Sequence, residues 1–114
     1  MSKPKTLAEA VYMLYNALDD EGKKFIREHG TMGLHHGYGT HIRNEYGLWD
    51  RKSDLHKFFR EHYGLGHADD MSGVILTVLE AKITDADYNI DLVVNKYKNH
   101  WIQLGIDPLT QTEI

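Results

Sequence analysis

Apolar positions in the first part of the chain recur every three or four residues, which is the spacing of an amphipathic helix. Before them stand Thr6 and Glu9, which have the spacing of a capping box. The threonine hydroxyl can accept from the third helical amide while the glutamate reaches back to the cap amide. The pattern therefore predicts a first helix over residues 7–18, with one face formed by Leu7, Val11, Leu14, Tyr15 and Leu18.

Five more helices are predicted from the same kind of spacing. The second lies between an acidic cap, Asp19 or Asp20, and Gly30, and the others cover residues 31–46, 53–63, 70–83 and 88–104. The segment at 70–83 is apolar nearly all round, and we expect Asp69 or Asp70 to cap it, which favours a buried helix over a strand. The sequence thus predicts an all-α bundle of about six helices with a central buried helix near residues 70–83.

The third predicted helix is unusual because it contains Gly33, Gly37 and Gly39. Each glycine costs roughly 1 kcal/mol against alanine in a helix interior, so tertiary packing would have to hold this segment helical. Gly33 and Gly37 share a stripe with Thr40 and Asn44, which would let another backbone or a ligand come close.

Length, charge and cysteine content narrow the class of protein. The 114 residues are enough for one domain, predicted to span residues 1–114 with loose termini at 1–5 and 107–114. The net charge of −4 disfavours bulk binding to nucleic acid or to anionic membrane surfaces. Cysteine is absent, and no apolar run has the length of a signal peptide or membrane span, so we expect a cytoplasmic domain.

A polar stripe on the third predicted helix is the first candidate site. His36, Thr40 and Arg43 lie on one side of that helix, and with Asn44 they could bind an anion or a phosphorylated small molecule. Arginine offers a planar fork of donors, to which histidine and threonine add further donors. Trp49 follows in a short loop, where an exposed indole could stack on a base or anchor a protein partner.

The same arginine also has a structural interpretation, to which we give more weight. Arg43 could pair with Asp69 or Asp70 and hold two helices in register, since paired interior charges are common in helical folds. Helix capping similarly explains the polar run from His67 to Ser72. With both interpretations kept open, the candidate ligand-binding residues are His36, Thr40, Arg43, Asn44, Trp49, His67, Asp69 and Asp70.

Two short runs carry a family resemblance: Ile-Arg-Asn-Glu-Tyr-Gly-Leu-Trp at residues 42–49 and His-Ala-Asp-Asp-Met-Ser at 67–72. They resemble a family of uncharacterised small helical bacterial and phage domains, in which similar runs precede a buried helix. The likeness extends over residues 6–101. It implies a bacterial or phage cytoplasmic setting without an established activity, and the positions it carries over are Arg43, Asn44, Trp49, His67, Asp69, Asp70 and Ser72.

The favoured hypothesis for function is a non-catalytic binding module without a cofactor. No phosphate-binding loop, nucleophile elbow or zinc-protease motif occurs in the sequence. Such a module would bind a small anionic ligand such as a nucleotide, or a protein, and could serve a phage or bacterium by sequestering that ligand or blocking a host defence protein. One alternative is a metal-dependent hydrolase using His41, Glu45, His67 and Asp70. Another is a structural interaction subunit, and a homo-oligomer is left open.

Overall fold

Six α-helices make up most of the chain in the computed structural model, which describes residues 3–114. The first two residues of the predicted loose N-terminus lie outside this range. Within it, the predicted all-α bundle is confirmed, and the extended structure is limited to one isolated bridge between Ile106 and Glu113. The helices are α1 (Leu7–Ala17), α2 (Asp20–His29), α3 (Tyr38–Glu45), α4 (Asp54–Tyr63), α5 (Ala68–Thr84) and α6 (Ile90–Gln103).

Helix α5 is the centre of the bundle, as the apolar pattern predicts. It packs against each of the other five helices, and 12 of its 17 residues are buried, so it needs apolar side chains on almost every face. Large core side chains from α3 and α4, Ile42 and Phe59, are completely buried beside it. No helix within residues 3–114 combines the length and the apolar content needed to cross a bilayer.

Side-chain caps mark the N-termini of most of the α-helices. At α1, Thr6 Oγ1 accepts from the Glu9 amide at 3.2 Å, and Glu9 Oε1 reaches back to the Lys5 amide at 3.1 Å. The predicted acidic cap of α5 is wrong: His67 caps this helix, with its Nδ1 accepting from the Asp69 amide at 3.0 Å. Asp69 and Asp70 lie in the first helical turn instead, where carboxylates also interact favourably with the helix dipole.

The predicted third helix is shorter than its apolar spacing suggests. Only Tyr38–Glu45 is α-helical, and the preceding residues form the 3₁₀ helix Met32–Leu34 and turns. Gly33 and Gly37 explain the difference, because no heavy atom lies within 4 Å of where a Cβ on either would stand. No tertiary packing offsets their helix penalty, and the close backbone approach predicted at these glycines is wrong.

The C-terminal segment, expected to be a loose tail, forms a hydrogen-bonded turn. The Asp107 amide donates to the Thr112 carbonyl at 2.8 Å, and the Gly66 amide donates to the Pro108 carbonyl at 3.0 Å. A Cβ at Gly66 would overlap the Leu109 carbonyl oxygen, so this contact requires glycine. The turn is thereby held against the loop that precedes α5.

Candidate functional site

The Arg43 guanidinium links α3 to α5 through hydrogen bonds and a charge contact with other residues of the chain. Its Nη1 donates to Ser72 Oγ at 2.9 Å, while Nη2 donates to Thr40 Oγ1 at 2.9 Å and to the His35 carbonyl at 3.3 Å. Arg43 Nε lies 3.3 Å from Asp69 Oδ1, and the arginine is only 9% exposed. The structural interpretation predicts a link between two helices, and that link is present. We call these contacts of Arg43 with Thr40, Ser72 and Asp69 the polar tie.

The Arg43–Asp69 contact is weaker than its distance suggests. The N–H of Arg43 Nε is not aligned with the carboxylate, so this buried nitrogen has no hydrogen-bond partner among the described residues. The Asp69 side chain is 61% exposed, which lets water screen the charge pair. The hydrogen bond to Ser72 holds Arg43 more firmly, because Ser72 is fully buried and its hydroxyl group in turn donates a hydrogen bond to the Asp69 carbonyl at 3.0 Å.

A cluster of three aromatic side chains lies beside the polar tie. The His67 ring stacks on Trp101, with centroids 5.7 Å apart and planes 27° apart, and Trp49 meets His67 edge-on at 6.1 Å. Trp101 Nε1 donates to Asp70 Oδ2 at 2.7 Å. Sequence reasoning placed Trp101 only in the core face of the last helix. The signal for its role is that the N–H of a half-buried indole needs an acceptor, and Asp70 is the buried carboxylate.

The Asp70 carboxyl group serves mainly to accept a hydrogen bond from within the protein. Burial raises the pKa of the Asp70 carboxyl group, and the nearby Asp69 charge raises it further. The Trp101 hydrogen bond and the nearby imidazoles of His67 and His100 oppose that change. Because one carboxylate oxygen already accepts from an indole in the core, Asp70 is poorly placed to contact a ligand.

The remaining candidate residues lie outside this network or contribute little to it. The His36 carbonyl accepts from Thr40 Oγ1, but the side chains of His36 and Asn44 are exposed and form no hydrogen bond within residues 3–114. His41 and Glu45, the other half of the hydrolase hypothesis, are also exposed. In the described part of the chain, no three His, Asp or Glu side chains converge in a way that could hold a metal ion. The structure thus brings together Thr40, Arg43, Trp49, His67, Asp69 and Asp70.

A cleft lies elsewhere in the structure, at the opposite half of α5. It is a cleft of about 790 Å³ between α1, α4, the C-terminal half of α5 and the start of α6. Tyr12 and Tyr88 are 64% and 51% exposed at its walls, and Lys82 is the one charged residue in the described lining. Other parts of the wall are apolar, including Ala8, Phe58 and Val78.

Tyr63 adds a neutral phenol to the cleft. Burial raises the pKa of its hydroxyl group, and the nearby Tyr88 and Asp91 raise it further. Sequence reasoning missed the cleft, because its residues come from four helices and the loop before α6, and some of them, such as Leu7 and Val11, were predicted to face the core. A usable signal was present in Tyr12, which is aromatic yet lies outside the stripe of Leu7, Val11 and Leu14.

The fold and the polar tie define a small all-α domain organised around one central helix. The chain belongs to the family described as a domain of unknown function (DUF6794), which matches residues 3–83. That range contains α1 to α4, all of α5 except its last residue and both short runs of the sequence, whereas α6, with Trp101, lies outside it. No curated protein and no solved structure matches the chain.

Proposed function

We propose that the protein is a non-catalytic binding module that takes a small ligand with an apolar body into the cleft between α1, α4, α5 and α6. The observation that carries this proposal is the cleft itself. Its volume of about 790 Å³ falls within the roughly 300–1,000 Å³ range of small-molecule sites. Its walls are largely apolar with a few polar groups, a composition that suits recognition of an apolar body by burial.

The polar tie around Arg43 is a weaker candidate for the ligand site. An anion there would compete with Ser72, Thr40 and the His35 carbonyl for the guanidinium donors. It would also meet the carboxylate of Asp69 beside Arg43 Nε. Removing a buried polar group from its partners carries a free-energy cost of about 1–3 kcal/mol, which a small ligand would have to repay first.

A module of this kind would suit an accessory role in which it sequesters a small molecule. The bacterial or phage origin, the cytoplasmic location and the interference with host defence stay predictions from the family resemblance. The cleft supports the sequestration part of that hypothesis, because its largely apolar walls offer a place for a ligand.

Binding of the neutral fluorescent probe N-phenyl-naphthylamine to the purified protein tests the proposal. We expect saturable binding with enhanced fluorescence, and we expect Ala8→Trp to abolish it by filling the cleft from an exposed helix position. Ala17→Trp is the matched control, because Ala17 is exposed on the same helix but does not line the cleft. Absence of saturable binding, or equal binding by both variants, would contradict the proposal.

A further inference from the structure

Two lysines lie against one tyrosine ring beside the cleft. Lys23 Nζ is 4.0 Å and Lys82 Nζ is 4.7 Å from the centroid of the Tyr15 ring. The three side chains come from α2, α5 and α1, so the arrangement depends on the tertiary fold and not on one helix. Lys82 also forms part of the cleft wall, whereas Tyr15 and Lys23 stand outside its lining, so the lysine pair connects the cleft to a second cation beside it.

The lysine pair has an excess of positive charge. Its two ammonium groups share one ring, so they are less than about 10 Å apart, within the Debye length at 0.1 M salt. Neither has a carboxylate within 4.0 Å in the described part of the chain, although Lys24 next to Lys23 pairs with Glu28 at 3.9 Å. The ring stabilises each cation modestly, but the repulsion between them stays uncompensated.

Glu80 is the acidic residue nearest to Lys82 in sequence, and its carboxylate accepts from the Thr31 amide at 2.7 Å. Neither Glu80 nor Asp85 and Asp87, in the loop before α6, lies within 4.0 Å of the Lys82 ammonium group. The described lining of the cleft contains no Asp or Glu. An anionic group on a ligand would therefore meet the Lys82 cation in the wall, with the Lys23 ammonium within about 10 Å of Lys82 and no carboxylate in the described lining. Charge complementarity selects a ligand that is apolar along its body and negative at one end.

We infer that the cleft binds an amphipathic carboxylate of the fatty-acid class, with the hydrocarbon tail against the apolar walls and the carboxylate beside Lys82, where the nearby charge of Lys23 adds to the attraction. This inference rests on the proposed function, since it names the ligand class of the same cleft. A nucleotide fits less well, because the apolar walls offer few hydrogen-bonding groups to a base and a sugar.

The test compares decanoate with decanol as competitors of N-phenyl-naphthylamine at neutral pH and below their aggregation limits. The two differ only in the head group, and an apolar cleft without cations would favour the uncharged alcohol. We expect decanoate to bind about fivefold more tightly, the size expected for two partly exposed ion pairs. Raising the salt concentration should weaken decanoate binding and leave decanol binding unchanged.

Three lysine variants complete the test. Lys23→Gln and Lys82→Gln should each reduce the preference for decanoate, and the double variant should reverse it, while decanol binding persists. Lys24→Gln is the matched control, since Lys24 is exposed and already paired with Glu28. Equal competition by acid and alcohol, or a preference that survives in the double variant, would overturn the inference and leave the proposed function standing. Failure of the probe and both competitors to bind would overturn the two together.

Discussion

The two ends of α5 use charged groups in opposite ways. At the N-terminal end, Arg43 and Asp70 have protein partners for most of their polar atoms. At the C-terminal half, Lys23 and Lys82 share an aromatic ring and have no carboxylate partner in the described part of the chain. The difference teaches that a dense run of polar residue types marks a structural network as readily as a binding site. Groups left without protein partners are the better indicators of a ligand.

This contrast has a physical basis. A buried polar group destabilises the fold unless it is hydrogen-bonded, so most atoms of a polar network in the core are occupied by one another. Arg43 Nε is the exception in the described structure, and it faces the Asp69 carboxylate at 3.3 Å. Exposed lysines keep their water and tolerate the lack of a partner. The polar tie should therefore affect mainly stability, and the cleft should affect mainly binding.

Arg43→Ala should have the largest effect on stability. The substitution leaves Ser72 Oγ buried without its donor and removes the link between α3 and α5, so we expect a loss of about 3 kcal/mol in the free energy of unfolding. Unfolding in urea measures this loss of free energy. Arg51→Ala, at an exposed arginine without an ion pair in the described chain, is the control and should change it by less than about 0.5 kcal/mol. Equal small losses in both variants would erase the contrast.

Trp101→Phe should come second. Phenylalanine keeps much of the ring packing on His67 but removes the N–H that donates to the buried Asp70, which should destabilise the fold by about 1–2 kcal/mol. Trp49→Phe, at an indole that is 58% exposed, is the matched control and should be nearly neutral in the same unfolding experiment. A larger loss at Trp49 than at Trp101 would be the opposite of the expected order.

Asp70→Asn should change the pH dependence of stability. Because burial raises the pKa of Asp70, the folded state holds this proton more tightly than the unfolded state. The stability linked to that proton is complete below the ordinary carboxyl pKa of about 4 and is lost as pH rises through the folded value. The free energy of unfolding of Asp70→Asn minus that of the wild type should therefore increase with pH from about pH 4 upward.

Denaturant unfolding over a series of pH values checks this expectation. Asp87→Asn provides the comparison at an exposed carboxylate that makes no hydrogen bond in the described structure. A difference for Asp70→Asn that stays constant, or that decreases with pH, would contradict the assignment of Asp70 as a buried carboxyl group.

His36→Ala and Asn44→Ala should have the smallest effects. Both side chains are exposed and form no hydrogen bond within residues 3–114, so each substitution should change stability by less than about 0.5 kcal/mol. Neither should alter the binding of N-phenyl-naphthylamine, which fluorescence titration measures. Loss of probe binding in either variant would move the ligand site back toward the third helix.

The helices could largely be predicted from the sequence, and the reasons are local. Capping residues such as Thr6 and Ser53, together with apolar spacing, determine where α1 and α4 begin. The glycine-rich segment before α3 could not be assigned in this way, because its outcome depended on whether tertiary packing reached Gly33 and Gly37. The His67 cap was missed because histidine is an uncommon cap, and two better capping residues follow it.

The polar tie could be predicted in part, and the cleft could not. Arg43 and Asp69 have opposite charges and lie on two helices that the sequence predicts, which suggests a pair, and the structure contains that pair. The role of Trp101 could not be predicted, because it depends on a contact between α5 and α6 that no local pattern encodes. The lysine pair is harder still to predict, since Tyr15, Lys23 and Lys82 belong to three helices. Tyr15 fits the apolar face of the first helix, and each lysine looks individually like an ordinary surface residue.

The central claim is that the cleft, and not the polar tie, is the binding site. Titration of isotope-labelled protein with decanoate, followed in its two-dimensional amide NMR spectrum, tests this claim most directly. We predict that the saturable shifts concentrate at the backbone amides of Tyr12, Val78, Lys82 and Tyr88. Shifts that concentrate instead at Arg43, Asp69 and Ser72 would contradict the account and identify the N-terminal end of α5 as the site.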